Sequence, residues 1–170
     1  EGDSLVNVRT GTNESAIVMI SSTGFASRFA CSDIRSSGRV SAGVYGIKTG
    51  NRKNADGGHV VAMMSTENTD TQILTITRNG MAKRSRLGTS EKIPDLNAEG
   101  VQKIDAETGD GKMRTDGYRK TKPGAKGAYT MNLDHDAGDY IISARQIPNL
   151  DDNVFLLTKK GMMIRINAGQ

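Results

Sequence analysis

Three stretches of this sequence superimpose without gaps, and that recurrence limits the fold more than any other feature. They are Ile17 to Arg28 (IVMISSTGFASR), Ile73 to Arg84 (ILTITRNGMAKR) and Val154 to Arg165 (VFLLTKKGMMIR). Each has an apolar run, a few polar residues, a glycine (Gly24, Gly80, Gly161), an apolar residue, and an arginine four places after the glycine. A short apolar run closed by a polar turn with glycine at its end predicts a strand entering a tight hairpin, because glycine supplies the positive φ the turn demands. Phe25, Met81 and Met162 then restart the returning strand.

The likeness extends to both sides of the hairpin. Gly2 to Val8, Gly58 to Met63 and Gly138 to Ala144 each read as a turn and then a strand, and Gly43 to Ile47 and Gly127 to Met131 read as a further strand opened by glycine. One unit is thus about four short strands, the content of a propeller blade. This predicts an all-β, propeller-like chain forming a single repeat-built domain over residues 1–170. Its blades are expected at about 1–49, 57–133 and 138–170, the last lacking its closing strand. Neighbouring blades must cover each other's apolar faces, so the missing strands are expected from a longer array or from another copy. The second unit carries an insertion, since Gly127 follows Gly80 by 47 positions where Gly43 follows Gly24 by 19. Its extra residues fall within 88–120, rich in Glu, Asp, Lys, Gly and Thr. They predict a partly mobile surface excursion with room for a short helix at Ala98 to Ala106.

Composition agrees with short strands: 20 of the 170 residues are Gly, aromatics are 4% and Trp is absent, leaving an aliphatic interior with many turns. Ile17, Ile20, Ile73, Ile76, Val154 and Leu157 are the expected core, and the eight Met fill gaps in it. Cys31 is the single cysteine and has no disulfide partner within the chain, which with the lack of metal-ligand spacing suits an intracellular, metal-free protein. No apolar run reaches the ~20 residues of a membrane helix, and no signal peptide opens the sequence. His59 and His135 lack a nucleophile or carboxylate arrangement for catalysis, and Asp134, Asp136 and Asp139 lack EF-hand spacing.

The net charge of +4 is unevenly spread. Six basic residues face one acid between Arg28 and Lys53, five face one between Arg78 and Lys92, and six face one between Lys112 and Lys126. Periodic cations suit a periodic polyanion. Arg28, Arg84 and Arg165 share one repeat position, so a ring of blades would present them at regular intervals on its rim. The same arginines also read as solvated strand-end charges, or as bridges to an acid of the next blade.

With the hairpins, Arg39 to Lys48 and Thr121 to Gly127 in view, the whole chain resembles the C-terminal domain of the DNA gyrase A protein, part of a type IIA topoisomerase. Topoisomerase IV is the close alternative. Thr121, Lys122, Pro123, Gly124, Ala125, Lys126 and Gly127 resemble a degenerate form of that family's gyrase box, Gln-Arg-Arg-Gly-Gly-Lys-Gly, keeping Gly124, Lys126 and Gly127. The resemblance implies a β-pinwheel whose blades exchange strands and wrap double-stranded DNA without sequence specificity. DNA contacts are then expected from Arg28, Arg35, Arg39, Lys48, Lys83, Arg84, Arg86, Lys120, Lys122, Lys126 and Arg165, with Lys83, Arg84 and Arg86 the densest group.

It further implies a domain with no catalytic residue or cofactor of its own, so that Tyr45, Tyr118, Tyr129 and Tyr140 have no cleavage role. ATP and Mg2+ would act elsewhere in a bacterial, cytoplasmic, nucleoid-associated DNA gyrase. That enzyme would assemble the rest of the gyrase A protein with the gyrase B protein and have no membrane partner. A propeller that docks proteins, and an enzyme with its site in a central channel, are the competing classes.

Overall fold

The computed structural model describes residues 3–50 and 57–169. Arg52, Lys53 and the opening residues Glu1 and Gly2 of the first unit lie outside them. The fold is all-β. Its strands are β1 (Ala16–Ser21), β2 (Phe25–Ala30), β3 (Val60–Thr66), β4 (Gln72–Thr77), β5 (Ala82–Arg86), β6 (Lys92–Pro94), β7 (Met113–Thr115), β8 (Ala128–Tyr129), β9 (Ile141–Ile147), β10 (Asn153–Leu157) and β11 (Met163–Asn167).

The three predicted hairpins are β1–β2, β4–β5 and β10–β11, all antiparallel. Their turns are built alike. Gly24, Gly80 and Gly161 have φ of 90°, 87° and 86°, and each donates its N–H to the carbonyl three residues earlier. The hydroxyls of Ser21, Thr77 and Thr158 accept the N–H of Phe25, Met81 and Met162 at 3.2, 3.3 and 3.1 Å. A hydroxyl three places before the glycine is thus as much a part of the turn as the glycine.

Sheets and sequence units do not coincide. The first sheet runs β3-β1-β2-β8 and the second β5-β4-β9, while β10-β11 stands as a pair. Both outer strands of the first sheet come from the second sequence unit, and β9 of the third unit edges the second sheet. The strand exchange that the resemblance implies is thus present, a hairpin being completed by a strand of its successor, so the repeat units do not bound the sheets. The two joints match in detail. Ile20 faces Ala62 and Ile76 faces Ser143, and in both the register shifts at the next residue, between Ile20 and Ser21 and between Ile76 and Thr77. Residues 3–8 and 43–47, predicted as strands, take no strand pairing here.

One buried cluster spans the first two sheets, with Val18, Ile20, Ile73, Ile141, Leu87, Tyr118 and Met131 among its members. A smaller one, of Leu74, Ile147 and Ala168 with Ile76 and Val154 packed against it, joins the second sheet to the third hairpin. Of the expected core, Ile17, Ile20 and Ile73 are buried and Ile76 and Val154 pack against the smaller cluster, but Leu157 is exposed.

The insertion holds no helix at 98–106. It is a β-arm whose base is β6–β7 and whose tip continues through bridges Leu96–Gln102 and Ile104–Gly111. Asn97 and Asp105 accept N–H groups two to four residues on, and Gly100 and Gly109 within these turns both take positive φ. At its neck Gly88 and Gly117 press together, and a Cβ on Gly117 would sit 2.0 Å from the Leu87 carbonyl oxygen.

Candidate nucleic-acid interface

The expected basic residues divide into two groups according to what their backbone and head groups touch. Two of the three repeat arginines, Arg28 and Arg84, bind carbonyls of the following blade. Arg28, expected on a DNA-facing rim, is only 3% exposed. One terminal guanidinium nitrogen donates to the carbonyls of Leu87 (3.0 Å), Gly88 (2.8 Å) and Tyr118 (3.0 Å) at the neck of the arm. Burial pushes its pKa down from the ordinary arginine value, and the charge of Asp116 opposes that shift. A guanidinium held on three carbonyls inside the chain cannot also serve as a rim contact, so Arg28 leaves the interface.

Arg84 donates to the carbonyl of Ala168, and Lys83 reaches the carbonyl of Thr130 at 2.9 Å. Arg86 pairs with Asp70 at 2.7 Å and with Asp116 at 3.6 Å. The densest basic group of the sequence thus lies on one largely exposed strand, β5, with every head group engaged within the chain. Arg165 is exposed and donates from Nε to Asn153 Oδ1 at 2.9 Å. Arg35 and Arg39 are exposed on the loop after β2.

The second group sits on the box-like segment. Residues 121–127 run between β2 and the stretch 46–48, and both sides hold it through main-chain bonds. Thr121 donates its N–H to the Arg28 carbonyl, and its hydroxyl meets Ser27 Oγ at 2.8 Å. Gly124 donates to the Gly46 carbonyl at 3.0 Å, and Lys48 donates its own N–H to the Ala125 carbonyl at 3.2 Å. The glycines kept from the box are needed here. Gly124 and Gly127 have φ of 78° and 82°, and a Cβ on Gly127 would lie 2.0 Å from the Ala26 carbonyl oxygen. Lys120, next to this segment, pairs with Arg28 as a parallel bridge.

The fold therefore gathers Lys120, Lys122 and Lys126 along one loop and brings Lys48 beside it on the stretch that holds the loop from one side. Lys48, Lys120 and Lys122 are exposed, and the half-buried Lys126 carries its ammonium 4.3 Å from the Phe25 ring centre. Lys48 precedes Thr121 by 73 positions in the sequence. The hydrogen bonds from Gly124 to Gly46 and from Lys48 to Ala125 are what bring it to the box.

Sequence reasoning missed two things here. One is the role of Tyr118, buried with its hydroxyl on Thr130 Oγ1 and its pKa raised by burial. The other is Asp116, whose carboxylate accepts the Thr89 N–H at 2.8 Å and the Thr89 hydroxyl at 3.1 Å. Those bonds, the backbone one foremost, hold it below the ordinary carboxylate range against the effect of burial, with help from Arg86 and Arg114. Among the described residues no group of three or more His, Cys, Asp or Glu could hold a metal ion, and no helix is long and apolar enough to cross a membrane.

The family model described as "DNA gyrase C-terminal domain, beta-propeller" matches residues 16–67, 71–106 and 152–170. The chain belongs to that family. Over 173 residues it is 31% identical to the DNA gyrase A protein of Lawsonia intracellularis, covering 100% of this chain and 17% of that protein. It is 27% identical over 167 residues to the DNA gyrase A protein of Metamycoplasma arthritidis, covering 98% of this chain and 14% of the relative. Among solved structures it is similar to a C-terminal domain of DNA topoisomerase IV (TM-score 0.65, 18% identity, 92% of this chain and 38% of that one). It is also similar to a DNA gyrase A C-terminal domain (TM-score 0.57, 17% identity, 92% and 39%). This gyrase-family chain thus spans under a fifth of the curated relatives' length.

Proposed function

We propose that the chain binds double-stranded DNA through the lysines of the box-like loop, as a part of the wrapping surface of a gyrase A protein. The observation that carries this reading is the main-chain framing of residues 121–127 by β2 and by 46–48. That framing presents Lys48, Lys120, Lys122 and Lys126 together on a support that need not reorganise. Ammonium groups of this kind meet phosphates as point charges, so they position the duplex without reading its sequence. Bending DNA around the domain costs on the order of 1–10 kcal/mol, which several blades must share.

In the parent enzyme this wrap would present strand crossings of one hand to ATP-driven strand passage, giving negative supercoils. The cleavage and ATPase groups, with Mg2+, would belong to other parts of the gyrase A protein and to the gyrase B protein.

The test is a salt titration of binding to a short and a long duplex. Replacing Lys48, Lys120, Lys122 and Lys126 with Gln is expected to lower the slope of log K against log salt by about 0.9 for each phosphate no longer neutralised, alike for unrelated sequences. An unchanged slope would reject the loop as the DNA contact, and absent binding to either duplex would reject the reading as a whole.

A further inference from the structure

The arm that interrupts the second unit has two unlike faces. Its three legs meet at a closed ring of main-chain bonds. Lys103 donates its N–H to the Asp95 carbonyl at 2.8 Å, Lys112 to that of Lys103 at 2.6 Å, and Asp95 to that of Lys112 at 2.9 Å. The residues flanking this ring pair as Pro94 with Met113, Leu96 with Gln102 and Ile104 with Gly111, so strand alternation puts all six on one side. Gln102 Nε2 meets Met113 Sδ there at 3.6 Å. On the other side Lys103 pairs with Asp95 and Lys112 with Asp105. The first side leaves Leu96, Ile104 and Met113 exposed by 48%, 59% and 50%, an apolar face with no cover among the described residues.

Charge narrows what can cover it. Residues 91–110 hold six acids against two lysines. Glu99, Glu107 and Asp110, in the two tip turns, are exposed and take part in none of the ion pairs of the described residues. These carboxylates repel a phosphate backbone, and a second arm laid face to face would bring like charges together. A braced neck keeps the arm from folding onto its own chain. Arg28 holds the carbonyls of Leu87, Gly88 and Tyr118. Ser90, a non-glycine residue at a φ of 71°, donates its N–H to the Asp116 carbonyl and accepts the Lys120 N–H at 2.7 Å. The complementary surface of this chain is the box-like loop, where Lys48, Lys120 and Lys122 are exposed and Tyr129, just past it, is 63% exposed.

We propose that the arm of one copy of this chain docks on the box-like loop of a second copy. Leu96, Ile104 and Met113 then cover Tyr129, while Glu99, Glu107 and Asp110 face Lys48, Lys120 and Lys122. The contact joins two different surfaces, so it is heterologous and runs head to tail. Docking itself does not rest on the DNA reading. Its consequence does: arm and duplex use one surface, so DNA displaces the arm.

The test is a charge swap in the 170-residue chain, read by sedimentation velocity at low salt, where such contacts are least screened. One variant carries Glu99→Lys, Glu107→Lys and Asp110→Lys; the other carries Lys48→Glu, Lys120→Glu and Lys122→Glu. The parent is expected to associate as concentration rises, and each variant alone at least tenfold more weakly. An equal mixture of the two is expected to regain the parent's association, which misfolding of either variant could not produce. Leu96→Ser with Ile104→Ser is expected to weaken association at least tenfold with the melting temperature unchanged. A parent that stays monomeric, a mixture that does not associate, or indifference to the change at Leu96 and Ile104 overturns the proposal. A short duplex is expected to dissolve the assembly, and one that binds without doing so overturns the shared surface.

Discussion

The positive charges of this chain fall into two populations that sequence alone treats as one. Two of the three repeat arginines, at one fixed position, bind carbonyls of the following blade, as Arg28 does at Leu87, Gly88 and Tyr118. The box lysines recur poorly and stand on a loop whose main chain is bound on both sides. Recurrence therefore marks what assembles the array, and the irregular basic loop is the surface proposed above for DNA.

Breaking the first population should disturb folding before it disturbs DNA. Arg28→Ala removes three charge-assisted bonds from a buried site and is expected to lower unfolding stability by about 4 kcal/mol, measured by urea denaturation. If the variant keeps wild-type stability and loses DNA affinity instead, the division between the populations is wrong.

A smaller effect separates a crowded glycine from an uncrowded one. Gly127→Ala must place a Cβ against the Ala26 carbonyl oxygen at positive φ, and is expected to cost about 2–3 kcal/mol. Gly161→Ala has the same kind of φ but nothing within 4 Å, and should cost only the backbone strain, about 1 kcal/mol. Equal losses in thermal unfolding would mean that the crowding at Gly127 carries no weight.

The smallest effect is a pH dependence at the neck that Arg28 clamps. Asp116 has a folded pKa below its unfolded value, so its contribution is complete above the ordinary Asp range and is lost as pH falls through the depressed value. Asp116→Asn is expected to be less stable than the parent at neutral pH, with the gap closing only in that acid window. A gap that stays constant with pH would assign the loss to something other than the charge.

How much of this was legible beforehand follows from the range of each interaction. The hairpins were readable because glycine, flanking apolar runs and the arginine all lie within one short stretch of chain. The exchange of β3 and β9 was legible only through the family resemblance, since strand pairing between units leaves no mark in either strand's own sequence; Val60 looks the same whichever hairpin it edges. The arginine's position was visible, but a repeat shows where a side chain stands and not what it reaches. The helix expected at 98–106 failed for a local reason: Asn97 with Gly100, and Asp105 with Gly109, are turn pairs that reverse the chain twice. The neighbourhood of Lys48 and the box was out of reach of sequence reading, because only the bonds joining Gly46 and Lys48 to Gly124 and Ala125 create it.

The matched register shifts at Ile20/Ser21 and Ile76/Thr77 carry a consequence for how such arrays change length. The first two hairpins offer the same socket and take the same kind of plug, so excising the unit between them is expected to let the following plug seat in the vacated socket with its side chains on the correct faces. Blade number can then drift by duplication or loss without any joint being redesigned, as beads are added to a string whose clasps are all alike.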